Sequence, residues 1–159
     1  MVAIRALLKI LVILSALGGQ PALASNVVAD VDRIAESLTR AGYNPQLSSN
    51  AGERFIKAQL NGYEFLVLPY GCDEAERNCR SVQFFIAFDP ANSPSLEAMN
   101  AYSRENRWGR VYLDQDGDPA LEFDLDLEKG GMSEALFLDN VAYWEAIVQS
   151  YAKFVFGKE

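Results

Sequence analysis

The sequence predicts an α+β domain whose helices cover one face of an antiparallel sheet, and three observations lead there. The spacing of apolar residues switches from helical to alternating and back again along the chain. Consecutive alternating runs are joined by turns too short for a crossover helix, which requires antiparallel pairing. The resulting order is helix, four strands, helix, two strands, helix (α-β-β-β-β-α-β-β-α), which suits helices packed on one side of a sheet.

Each element has its own signal. From Val27 to Ala41 the apolar residues Val27/Val28, Val31, Ile34/Ala35, Leu38 and Ala41 form the stripe of an amphipathic helix, with Ser25 or Asn26 as the expected cap. Gly42 stands where a left-handed helix end belongs. Tyr43 to Leu47 is a short candidate strand. Arg54–Leu60 and Tyr63–Leu68 flank Asn61-Gly62, a two-residue hairpin signal because both positions tolerate positive φ. Ser81 to Phe88 is an aromatic-rich strand. Ser93 and Pro94 read as cap and first position of a second helix that turns Leu96, Met99 and Tyr102 inward. Arg107–Leu113 and Ala120–Leu127 read as strands joined by an Asp-Gly turn. Gly130-Gly131 ends that pattern, and Ser133 opens a last helix with Val141, Trp144, Ile147/Val148, Tyr151 and Phe154/Val155 on its apolar side.

The N-terminal stretch reads as an export signal, residues 1–24. Arg5 and Lys9 precede a short apolar core, and Ala22-Leu23-Ala24 has the small-x-small form of a cleavage site. Even counted from Ala6, that core is shorter than the about 20 residues needed to span a bilayer. The expected product is a single mature domain, 25–159, in the periplasm, with no stable membrane anchor once the signal is cleaved after Ala24. Loss of two cations moves the net charge from −8 to −10, a field that repels nucleic acid and anionic membrane surfaces. In an oxidising compartment Cys72 and Cys79 are expected to form a disulfide; six residues separate them, unlike the two of redox motifs.

The chain has no histidine, which removes histidine-based nucleophile systems and histidine metal sites. No cofactor is implied. A carboxylate-only hydrolase stays open, although nothing marks two of the acids as a buried pair. Asp114, Asp116 and Asp118 match the first alternate ligand positions of a calcium loop, but Pro119 stands where glycine is needed and Leu125 where a bidentate glutamate is needed. A plain turn explains them equally well, so no metal is assigned. Glu122, Asp124, Asp126 and Glu128 alternate with Leu121, Phe123, Leu125 and Leu127; they form either a solvated strand face or an acidic patch for a basic partner. Arg107, Trp108, Arg110 and Tyr112 are the candidate partner-binding residues: a guanidinium beside an aromatic can bind an anionic group or a peptide, or can pair with the chain's own acids. Strand geometry places Arg107 opposite Trp108, and Arg110 on the same face as Trp108.

Several stretches together resemble the YbjN domain family of bacterial sensory transduction regulators. They are Tyr70-Gly71-Cys72, Cys79 to Phe84, Asn106 to Asp114, Asp116-Gly117-Asp118-Pro119, and Phe137-Leu138-Asp139-Asn140 followed by Trp144. The resemblance implies a fold like the type III secretion chaperones, often dimeric, and no catalytic residues. The resulting expectation is a periplasmic, non-catalytic binding or regulatory module that engages a protein partner, with a chaperone-like action as one form. The alternatives are a homodimeric envelope stress or structural factor, and a carboxylate-dependent hydrolase.

Overall fold

The structure is a computed structural model and describes residues 26–75 and 77–157. The expected signal peptide and its cleavage site lie outside the described residues. The element order is α1 (Val31–Arg40), β1 (Gln46–Asn50), β2 (Glu53–Leu60), β3 (Tyr63–Tyr70), β4 (Ser81–Ala87), α2 (Leu96–Glu105), β5 (Arg110–Leu113), β6 (Pro119–Asp126) and α3 (Glu134–Phe156). This is the α+β order read from the sequence. All strands join one sheet, ordered β1-β2-β3-β4-β6-β5, with every neighbouring pair antiparallel.

Alternation along the strands gives the sheet two unlike faces. On one face Ile56, Val67, Phe84 and Phe123 lie in a row across β2, β3, β4 and β6, and α3 lies over it. Trp144 packs against Phe65 and Phe84 at 5.9 and 5.8 Å between ring centroids, and Phe137 against Phe84 at 6.3 Å. Further along α3, Tyr151 meets Phe88 and the Tyr102 ring of α2. Each such side chain contributes roughly 1.5–3 kcal/mol on full burial, and this layer is the hydrophobic core. No helix covers the other face, whose central row runs Gln46, Lys57, Leu66, Phe85, Glu122, Arg110 across all the strands.

Several element boundaries differ from the sequence reading. The first helix begins at Val31, capped by the Asp30 carboxylate on the Arg33 amide, and not at Val27. Val27 instead forms an extended bridge with Met132, N–H to carbonyl at 2.8 and 3.0 Å in the two directions. Gly131 makes that approach possible: a Cβ there would sit 2.1 Å from the Val27 carbonyl oxygen. The first strand starts at Gln46 rather than Tyr43. The second helix is capped by Ser95, not Ser93, whose hydroxyl donates to the Gly117 carbonyl. Leu96, expected inward, is 68% exposed because it is the first residue of the helix, one turn before Met99. Asn61-Gly62 does carry the two positive φ angles that the hairpin needs. Among the described residues no helix is long and apolar enough to cross a membrane.

Candidate functional site

The strand expected from Arg107 begins only at Arg110, because Trp108 (φ 66°) and Gly109 (φ 158°) break the extended run before it. The four candidate partner-binding residues are therefore divided between two places. Arg110 and Tyr112 stand on the uncovered sheet face, whereas Trp108 packs, tilted, against Tyr143 of α3, on the covered side. This corrects the expectation that Arg110 shares a face with Trp108.

On the uncovered face, Arg110 pairs with Glu122 and Tyr112 with Ala120. The Glu122 carboxylate is buried, and both its oxygens are occupied. Oε2 accepts from the Arg110 guanidinium, and Oε1 accepts from the Tyr112 hydroxyl at 2.5 Å. The guanidinium also lies over the Tyr112 ring, 5.8 Å from its centroid. Charge-assisted bonds of this kind are what allow a carboxylate to leave water. Burial, with the Glu122 hydrogen bond and charge next, pushes the Tyr112 phenol up to about 12. Beside this cluster the Tyr70 hydroxyl donates to Gln83, and the Gln83 amide donates to Asp124 at 3.0 Å. The acidic alternation read from the sequence does place Glu122, Asp124 and Asp126 on one face. Glu122, however, is not a solvated member of it, and Glu128 lies beyond the end of β6.

Arg107 and Trp108 form the second cluster. The Arg107 guanidinium stands 5.2 Å from the Trp108 ring centroid, and the Trp108 and Tyr143 centroids are 5.6 Å apart. Trp108 is 53% exposed and Tyr143 47%. Leu136, also exposed, lies two turns earlier on the same row of α3. Neither Arg107 nor Arg104 meets a carboxylate within ion-pair distance among the described residues. A family model described as "Putative bacterial sensory transduction regulator" matches residues 30–156.

The chain belongs to the YbjN family.

No curated protein matches the chain. In this YbjN domain the Asp114–Asp118 segment is a hairpin turn. The Asp114 carboxylate accepts from the amides of Asp116 and Asp118 at 3.0 and 2.9 Å, so one of its oxygens is committed to the backbone. Desolvation, then the charges of Asp114, Asp89 and Asp116, raise the Asp118 carboxyl. Among the described residues no group of three or more acids, cysteines or histidines is placed to hold a metal ion. Cys72 and Cys79 are joined by a disulfide across the loop between β3 and β4. Asp73 organises that loop by accepting from the Ala75 and Arg77 amides and from the Asn78 side chain.

Sequence reasoning named Arg110, Tyr112 and Glu122, and pairing of the arginines with the chain's own acids, but set them in two separate groups, although a signal for their meeting was present. A turn centred on Asp116 pairs positions equidistant from it, so Arg110 faces Glu122 and Tyr112 faces Ala120. The Trp108–Tyr143 contact had no such signal, because it joins a loop to a helix more than 30 residues away.

Proposed function

We propose that this YbjN domain is a periplasmic, non-catalytic module that engages a protein partner through the Arg107–Trp108–Tyr143 platform. One observation carries the reading: Trp108 holds a left-handed backbone while half its surface stays in water. That conformation costs a bulky residue about 1–2 kcal/mol, and partial burial of the ring leaves much of its apolar surface unused. Strain kept at an exposed aromatic is characteristic of a binding surface. Trp, Tyr and Arg are also the residues that dominate interface energetics. Two features favour the absence of catalysis. Histidine is missing, and Glu122, the only buried carboxylate among the described residues, is saturated by Arg110 and Tyr112 rather than paired with a second acid. The export signal and the disulfide favour the periplasm.

The test places a photo-crosslinking residue at Leu136 in the full-length chain expressed in cells, with and without Trp108→Gly. Glycine removes the ring and accepts the backbone angle, so the variant should keep its melting temperature. The expected result is one discrete heteromeric adduct in the periplasmic fraction, at least tenfold weaker in the variant. An adduct indifferent to Trp108, an adduct between two copies of the chain, or a cytoplasmic protein with its leader attached would each overturn the reading.

A further inference from the structure

A second surface, separate from the Trp108 platform, has its own ligand chemistry. At one end of the uncovered sheet face, Phe55 of β2 and Leu68, Pro69 and Tyr70 of β3 line an open hollow of about 370 Å³, bounded by Glu53 and by Gly71-Cys72 of the disulfide loop. That volume suits one or two large apolar side chains. The cations around it are already engaged. Arg54, which also lines the hollow, is engaged by Asp32 of α1 through two hydrogen bonds of 2.7 and 3.0 Å, Arg110 is held by Glu122, and Arg80 faces Glu128 at 3.6 Å. Lys57, on the same face, faces Glu64 at 3.6 Å.

Two acids, Glu53 at the hollow and Asp124 two strands from β3 on the same face, are not matched in this way. Glu53 has no ion-pair partner among the described residues, and Asp124 accepts only from the Gln83 amide, itself accepting from Tyr70. Both carboxylates act on the Tyr70 phenol, which is raised by burial first and then by Glu122, Asp124 and Glu53, with Arg110 opposing. Tyr70 is 48% exposed, so its ring offers a face to a cation that the surrounding acids also attract.

We infer that the hollow between Phe55, Leu68 and Tyr70 docks a basic–apolar peptide segment, an aromatic or aliphatic side chain entering the hollow while a neighbouring Lys or Arg lies over Tyr70 toward Glu53 and Asp124. An acidic peptide is excluded by the same charges. The site is independent of the Trp108 platform, which lies on the other side of the sheet and presents Arg107, a cation with no ion-pair partner among the described residues.

The probe is a short synthetic peptide with one Phe between two Arg residues, compared with its counterpart carrying Glu in place of both Arg. Amide shifts of the oxidised mature domain are followed during titration at moderate salt. The Arg peptide should shift Leu68, Tyr70 and Gln83, and the Glu peptide should shift none of them. Glu53→Gln combined with Asp124→Asn should weaken binding at least tenfold, Phe55→Ala should weaken it severalfold, and Trp108→Gly should leave it unchanged. Shifts scattered over other acidic surfaces such as the Asp114–Asp118 turn, equal binding of the two peptides, or indifference to the double neutralisation would overturn the inference. Loss of binding in Trp108→Gly would move the peptide to the other platform and overturn it as well.

Discussion

A carboxylate placed on an uncovered sheet face and still hidden from water needs both oxygens satisfied, and Glu122 meets that need with partners from one neighbouring strand. The arrangement ties the Tyr112 proton to the state of Glu122. Burial comes first in pushing this phenol up to about 12, and the Glu122 bond and charge add to it. A phenol whose folded value lies above its unfolded one, about 10, stabilises the fold below that value and loses the contribution as pH climbs from about 10 through about 12. Glu122→Gln should therefore let Tyr112 ionise at lower pH. The difference in phenolate absorbance between Glu122→Gln and Glu122→Gln/Tyr112→Phe isolates that one group, and an unchanged Tyr112 titration would contradict the account. This part of the site was legible in principle, since hairpin register follows from the turn. What the alternating acids could not reveal was which one of them leaves water, because that depends on the length and charge of the cross-strand neighbour.

At the scale of elements, α1 is fastened to the start of α3 by side chains. Glu134, in the first turn of α3, accepts from the Arg40 guanidinium at 2.5 Å and from the buried Ser37 hydroxyl at 3.1 Å. The Arg40 bond, followed by the Ser37 bond, holds the Glu134 carboxyl below its ordinary value of 4.5. Its contribution is present above 4.5 and disappears as pH falls from there through the depressed folded value. Arg40→Gln should raise the midpoint pH of acid unfolding, and the gap in melting temperature between variant and parent should be widest near neutrality and vanish in acid. A gap that persists at low pH would assign the effect to packing of the Arg40 stem. Helix and strand identities were legible because apolar spacing reports them. The ends were less so. Val27 and Val28 extend the apolar stripe of α1 backwards, yet Asp30 supplies the cap and Val27 is taken by Met132. Ser93-Pro94 resembles a helix start, but Ser95 is the residue whose hydroxyl reaches the Ala98 amide. Arg107 and Trp108 continue an alternating pattern that a left-handed residue interrupts, and no periodicity signals a left-handed tryptophan.

For the whole molecule, the Cys72–Cys79 bond closes a short loop between strands that already pair up to Tyr70 and Ser81. Chain entropy assigns such a loop about 2.5 kcal/mol. Reduction should therefore lower the free energy of urea unfolding by that order, with a lower urea midpoint, while the native spectrum persists at neutral pH. Collapse of the fold on reduction would show that the bond holds more than its own loop. The sheet as a unit was legible as antiparallel with helices on one side. What was not legible is which apolar residues the open face carries half-buried, because Phe55, Leu66 and Phe85 alternate with buried neighbours and such runs do not tell one face of the sheet from the other.

The attachments of the N-terminal segment set an order of events for any newly made chain. Val27 waits for Met132, Ser37 and Arg40 wait for Glu134, and Tyr43 waits for Glu145, partners roughly a hundred positions downstream. The hairpins between them can close as soon as they emerge. The first helix, with the fully buried Ile34 and Leu38, can meet the β1–β2 hairpin early, as the Asp32–Arg54 pair shows, but its fastening to α3 waits until Glu134 and Glu145 have been made. The closure of the segment before β1 onto α3 is thus deferred until α3 has been made, while the hairpins between them need not wait.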